Sequence, residues 1–215
     1  TTFSHGSRCV VRTMIEFSAW MKSYGDRDRP FCVLGKGPSF SLIGDFDLSC
    51  YKLLALNHVV REMKVEFAHI IDIDVIESCA DCLYENANYL VMPQVPHVDC
   101  KPTSLSLADF VDTIPVLRQF SDECRLLWYP LWSGPKVIGT ERIKGTFSGS
   151  VVVNLLAQAG VGRVRSLGVD GGATYSEQFS DLNQTTLFRN QHQSFDIQEQ
   201  EIRQVIEKTD IDFQP

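Results

Sequence analysis

Apolar residues along this chain gather in short runs, most of which stop at a glycine, a proline or a polar residue. Phe31-Cys32-Val33-Leu34 runs straight into Gly35-Lys36-Gly37-Pro38-Ser39. A short apolar run bounded by turn formers reads as a buried parallel strand. The pattern repeats in Lys52-Leu53-Leu54-Ala55-Leu56, which ends at Asn57-His58, and in residues 67–71, with Asp72 and Asp74 at or just past its end. Residues 89–92 form a fourth run closed by Pro93, residues 126–129 a fifth, and residues 163–169 a sixth with Asp170 at its tip.

The spacing changes between these runs. Val10, Val11, Met14, Phe17, Ala19, Trp20 and Met21 predict an amphipathic helix over 9–24 that ends at Gly25 and packs on the sheet edge. Residues 59–64 read as a short helix and 74–84 as a longer one. Residues 151–160 read as a small-residue helix stopped by Gly160. Residues 198–208 predict a closing helix capped by Asp196, and Ser39 stands where it can cap a short helix. The last residues, 211–215, have the look of a short strand.

Strands alternating with helices predict an α/β protein, Rossmann-like, with a mostly parallel sheet and helices on both faces. The division expected is an N-terminal helix and connector over 1–30 and one nucleotide-binding domain over 31–215. Residues 93–115 hold four prolines and little periodicity, which is long for a plain connection. They are expected to form a lid or an acceptor-binding insertion. A chain that starts at Thr1, without methionine, is expected to be either a domain excised from a longer protein or a processed chain, and the strand-like end at 211–215 supports the first.

Composition narrows the function. Of 215 residues, 44% are hydrophobic and 22% charged, as in ordinary globular proteins. A net charge of -7 argues against a role in non-specific nucleic-acid binding. No apolar run is long enough to span a bilayer and no signal peptide is visible, so a cytoplasmic location is expected. Seven cysteines are scattered through the chain. Cys79-Ala80-Asp81-Cys82 has no second pair at zinc spacing, which leaves buried thiols in a reducing compartment, or a zinc or redox pair, as its readings.

Ligands of such sheets bind outside the carboxyl ends of the strands. The loops there hold Gly35 to Ser39, Asn57, Asp72, Thr146 to Gly149, and Asp170 to Gly172. The glycines allow a sharp turn and a close ligand approach, and the N–H groups of such a turn can cradle a phosphate. Each position is equally open to a plain structural role. His192, in a polar loop before the last helix, is either a solvated loop histidine or a general base. No Walker lysine motif, Gly-x-Ser-x-Gly elbow or His-Glu-x-x-His motif occurs.

Leu34-Gly35-Lys36-Gly37-Pro38-Ser39, Ala55-Leu56-Asn57, Thr146-Phe147-Ser148-Gly149, Leu167-Gly168-Val169-Asp170, and His192 with Ser194, Asp196 and Ile197 follow one another in this order. This ordered set resembles bacterial CMP-sialic-acid-dependent sialyltransferases and the related central domain of MAF flagellin-glycosylation proteins, over residues 31 to about 213. The resemblance implies the sialyltransferase variant of the glycosyltransferase-A-like fold. It also implies a metal-independent glycosyltransferase of surface polysaccharide or glycoprotein synthesis. Gly35, Lys36, Gly37, Pro38 and Ser39 would line the nucleotide phosphate and ribose, and Asn57 would contact phosphate or donor sugar. Thr146, Phe147, Ser148 and Gly149 would hold the phosphate or the sugar carboxylate, and Asp170 with Gly171 would meet ribose or cytosine. His192 would deprotonate the acceptor hydroxyl. The family has an aromatic residue directly after the Asp, where this chain has Gly171-Gly172; Tyr175 is the nearest tyrosine to assist the leaving CMP. The family's arginine before the Thr-Ser-Gly turn is also missing, with Arg142 and Lys144 nearby.

The implied donor is a CMP-linked sialic acid, a related nonulosonate or Kdo, and no cofactor beyond it is required. The acceptor would be a glycan, a lipid-linked sugar or a protein. Peripheral membrane association through a longer parent chain and a homo-oligomer are both compatible with this reading. The alternative is a pterin pyrophosphokinase-like enzyme, using ATP and Mg²⁺ held by carboxylates such as Asp72, Asp74 and Asp170. A non-catalytic nucleotide-binding scaffold is the remaining alternative.

Overall fold

The computed structural model describes residues 14–24, 26, 28–187 and 194–215. Eight parallel strands form one sheet: β1 (Ile15–Glu16), β2 (Phe31–Leu34), β3 (Lys52–Leu56), β4 (Val65–His69), β5 (Ala87–Pro93), β8 (Leu126–Tyr129), β9 (Arg163–Leu167) and β10 (Asp212–Gln214). A separate antiparallel pair, β6 (His97–Val98) and β7 (Lys101–Pro102), stands off the main sheet. The helices are α1 (Phe17–Ser23), α2 (Ile73–Ser78), α3 (Ala80–Asn86), α4 (Leu107–Thr113), α5 (Pro115–Asp122), α6 (Ser148–Gln158) and α7 (Ser194–Lys208). The fold is therefore α/β and Rossmann-like, and every expected strand run is present with shifts of one to two residues at its ends.

The strand order is β1-β8-β5-β4-β3-β2-β9-β10. From β2 the chain walks outward through β3, β4, β5 and β8, then returns across the sheet to place β9 on the other side of β2. Reversal of direction at β2 makes a topological switch point, where a crevice opens at the strands' carboxyl ends. All four residues of β2 are buried, as a central strand covered on both faces requires.

Side chains alternate between two cores. Cys32, Leu34, Ala55, Ala68, Leu90 and Met92 face one side, against residues of α2, α3, α4 and α5. Phe31, Val33, Leu54, Phe67, Val91 and Leu127 face the other, against α1, α6 and the C-terminal helix. α6 is apolar on most of its surface, with Val151, Val152, Val153, Leu155 and Leu156 all buried, so it lies in the sheet's groove and not at its rim.

Several boundaries differ from expectation. The first helix is shorter than 9–24 within the described residues: Ile15 and Glu16 add an edge strand to β8, and the Glu16 side chain caps α1 by accepting the Ser18 and Ala19 N–H groups. Residues 59–64 are instead a 3₁₀ turn over Asn57–Arg61. The helix expected over 74–84 breaks at Cys79 into α2 and α3. Asp196 does not cap the last helix, because α7 begins two residues earlier; it sits in the first turn and accepts the Gly172 N–H at 3.4 Å. Ser39 lies inside the Pro38–Asp45 3₁₀ segment, whose cap position is Gly37. The 93–115 segment splits: β6 and β7 stand at the cleft, whereas Leu107 and Val111 of α4 are buried in the core.

Candidate functional site

The carboxyl ends of the strands surround a cleft of about 690 Å³. Its lining draws on the turns after β2, β3, β4, β8 and β9, on the start of α6 and on Phe195 and Gln198 of α7. Gly35, Lys36, Gly37, Asn57, Thr146, Phe147, Ser148, Asp170 and Tyr175 all face it. Pro38, Ser39, Gly149 and Gly171 are not part of its lining. His192 lies outside the described residues.

The glycine turn after β2 exists for backbone packing. The Gly35 N–H donates to Leu167 O at 2.8 Å and the Gly37 N–H to Gly168 O at 2.7 Å. A Cβ on Gly35 would lie 2.2 Å from the Gly168 carbonyl oxygen, so the β2 and β9 turns touch backbone to backbone. Ser39 and Asp170 lock the same junction. The Ser39 N–H donates to Asp170 Oδ2 at 2.8 Å and its hydroxyl to Oδ1 at 2.6 Å, while the Gly168 N–H donates to Ser39 Oγ at 2.7 Å. The N–H groups expected to cradle phosphate at Gly35, Gly37 and Ser39 thus already have partners within the chain.

A comparable arrangement holds the start of α6. Phe147 is the cap and Ser148 the first helical residue, so α6 starts three residues before the helix expected over 151–160, and its orphan donors are answered from α7. Glu201 accepts the Thr146 N–H at 3.0 Å and the Thr146 hydroxyl at 2.7 Å, and also takes the Ser150 hydroxyl. Gln198 Oε1 accepts the Gly149 N–H at 2.9 Å. A carboxylate at a helix N-terminus is favoured by the helix dipole, and here the chain supplies its own.

Lys36 has no such resolution. Its ammonium sits 4.5 Å over the ring of Tyr175, and among the described residues no carboxylate lies at ion-pair distance from it. Burial, assisted by the Arg61 charge, brings its pKa down to about 8. Tyr175 is held edge-on against Phe195 at 5.7 Å, and the Ser176 N–H donates to Lys36 O at 2.8 Å. The loop after β9 thereby closes over the turn after β2.

Asn57 and His58 end β3. Asn57 takes the left-handed conformation at φ 53°, uncommon for a residue other than glycine, and its amide donates to Ser148 Oγ at 3.1 Å. Its carbonyl oxygen is buried without a partner. His58 is 5% exposed and pairs through Nε2 with Ser78 Oγ at 3.0 Å. Ser78 gives its proton to Val75 O, which makes Nε2 the donor and leaves Nδ1 a bare acceptor. Burial, with Lys36 nearby, takes the His58 pKa down to about 3, so the ring is neutral.

On the far wall, Asp72 at the tip of β4 accepts the Cys100 N–H at 3.2 Å, and Asp74 accepts the Asp99 N–H at 2.6 Å. Burial raises the Asp72 pKa to about 6. Asp72, Asp74 and Asp170 do not form a ligand set, since Asp170 is committed to Ser39; among the described residues no group of three His, Cys, Asp or Glu could hold a metal ion. Cys79 is buried and its burial raises the thiol's pKa, while Cys82 Sγ–H donates to Cys79 O, so the pair behaves as core.

Trp132, His97, Gln198 and Glu201 escaped the sequence reading. Trp132 lies in a Trp-Ser-Gly-Pro stretch that reads only as a turn, and Glu201 acts on Thr146 across 55 positions. Neither relation leaves a local signal. No protein-family model matches the chain, and no curated protein matches its sequence. What stands is a Rossmann-like α/β protein with a cleft at its switch point. Among the described residues no helix is long and apolar enough to cross a membrane.

Proposed function

We propose that this chain is a glycosyltransferase that binds a CMP-activated sugar acid in the switch-point cleft and passes the sugar to a hydroxyl acceptor. The observation that carries the reading is Lys36, a half-buried ammonium on the cleft wall, stacked on Tyr175 and without a carboxylate at ion-pair distance among the described residues. Such a group gains most from a phosphate or carboxylate brought by the ligand. Asn57, whose side-chain oxygen is buried without a partner, faces the same cleft and suits the sugar, the start of α6 being already answered by Glu201 and Gln198. Tyr175 lines the cleft as the tyrosine to support the leaving CMP. The ordered residue motifs supply the choice of CMP over other nucleotides. In this reading the reaction needs no metal, and His192 is one candidate for the base.

A thermal-shift series with CMP, CDP, UDP, GDP, ATP and a pterin, each with and without Mg²⁺, tests the proposal. A ligand at a hundred times its Kd stabilises by about 2.7 kcal/mol, a readily measured shift. The expected result is stabilisation by CMP without Mg²⁺. Stabilisation by ATP or pterin that requires Mg²⁺ would favour a pyrophosphokinase, and no shift with any of them would favour a scaffold.

A further inference from the structure

The cleft has two chemically distinct ends. Lys36, Tyr175, Asn57 and the start of α6 make one. The other is built from the tip of β4, the β6–β7 hairpin and the turn after β8, and the donor reading leaves it unused. Here Asp72 is half-buried, with Oδ1 on the Cys100 N–H. The hairpin is fastened to β4 through the His97 N–H to Ile71 O at 3.0 Å and through the Asp99 N–H to Asp74. Its turn residues Asp99 and Cys100 are both left-handed, at φ 51° and 61°, a conformation two adjacent non-glycine residues keep only where their surroundings hold them. His97 Nε2 meets Ser133 Oγ at 3.3 Å and so ties the hairpin to the β8 turn. On that turn Trp132 is 52% exposed, yet its orientation is fixed, because its indole N–H donates to Gly145 O at 3.1 Å. A large aromatic face, pinned and left open at a pocket mouth, matches the C–H face of a sugar ring.

We propose that this end is the acceptor subsite: a pyranoside lies against Trp132 and Asp72 takes the proton from its attacking hydroxyl. The inference rests on the donor reading above. In the transfer the acceptor oxygen forms a bond to the anomeric carbon, and the bond from that carbon to the CMP phosphate oxygen breaks. CMP leaves with the electron pair, and the acceptor's proton passes to the Asp72 carboxylate and on to solvent. The groups facing Asp72 are Lys36 from the β2 turn, Asp74 beside it, Asp99 and the Cys100 N–H from the hairpin, and Tyr129 from β8. Burial, with Asp74 and Asp99 in support, raises its pKa to about 6, against the Cys100 N–H and Lys36. The carboxylate is therefore ionised at neutral pH and more basic than an ordinary one.

The test follows CMP release from CMP-N-acetylneuraminic acid with and without methyl β-galactoside, methyl β-glucoside or methyl α-mannoside. The expected result is that at least one pyranoside raises release well above donor hydrolysis, at a rate that climbs with pH through about 6. Asp72→Asn, which keeps an oxygen for the Cys100 N–H, should lower the pyranoside-dependent rate on the order of 10²- to 10⁴-fold. CMP should raise that variant's melting temperature as it does the wild type's. Trp132→Leu should raise KM for the pyranoside and leave KM for the donor alone. An Asp72→Asn variant within threefold of wild type would overturn the inference, as would donor turnover that no pyranoside stimulates. A wild-type protein that neither binds nor cleaves the CMP-sugar would overturn the donor reading first, before any variant is compared.

Discussion

Lys36 and Ser39 are three positions apart, yet they do different work. Lys36 lines the cleft with its charge over the Tyr175 ring and, among the described residues, no carboxylate at ion-pair distance, so it is the residue whose loss should hurt binding and spare the fold. Lys36→Met should weaken CMP binding at least about tenfold, or about 1.4 kcal/mol, in a calorimetric titration, with a melting temperature equal to or above wild type. Its pKa of about 8 gives the sign of the pH effect: CMP affinity should fall as pH rises through 8, and the Met variant should not show that fall. Ser39 should behave in the opposite way. Ser39→Ala leaves Asp170 Oδ1 and the Gly168 N–H without their partner and should cost about 1–3 kcal/mol in urea unfolding. The sequence marks both residues as site candidates because both sit in the turn after a buried strand. It cannot separate them, since Ser39's partner lies 131 positions away in the turn after β9.

At the scale of elements, the two glycine turns are the hinge of the architecture. Gly35→Ala should cost more than about 4 kcal/mol or abolish folding, because its Cβ would collide with the Gly168 carbonyl, which is backbone and has nowhere to move. Gly162→Ala is the control: nothing lies within 4 Å of its Cβ position, and its effect should stay within about 0.5 kcal/mol by the same measurement. The strands were legible because a buried parallel strand is a continuous apolar run, and β2, β3, β5 and β8 are such runs. β1, β6 and β7 were not, because two residues carry no period. The α6 start was legible as a helix N-terminus but not as an occupied one; a carboxylate supplied by the following helix has no signature in the turn it caps.

Among the described residues of the whole molecule two histidines, His58 and His69, are buried and neutral, and they weigh on its response to acid. His69 is fully buried against Tyr129, with Nε2 2.8 Å from the tyrosine oxygen, and like His58 its pKa is lowered by burial to about 3. Both must gain a proton on unfolding below their ordinary pKa of about 6.5, so the unfolded chain binds more protons and stability falls as pH drops from 6.5. Asp72, raised to about 6, works the other way between 6 and about 4. His97, whose pKa burial also lowers, adds to the histidine side, so the histidines outweigh the one aspartate by at least about one proton, or about 1.4 kcal/mol per pH unit over that range. Unfolding at pH 7, 6 and 5 should show the protein losing stability at each step; equal stability at pH 7 and 5 would contradict the burial of these rings. The parallel sheet and its reversal at β2 bring the ends of β2, β3, β4, β8 and β9 to one cleft, and the account turns on what that cleft holds. The most direct measurement is a calorimetric titration of the protein with CMP in EDTA, at pH 7 and at pH 9.5. Saturable binding at pH 7 that weakens at pH 9.5 is the predicted result. No heat of binding at pH 7, or binding that appears only when Mg²⁺ and ATP replace CMP, would contradict it.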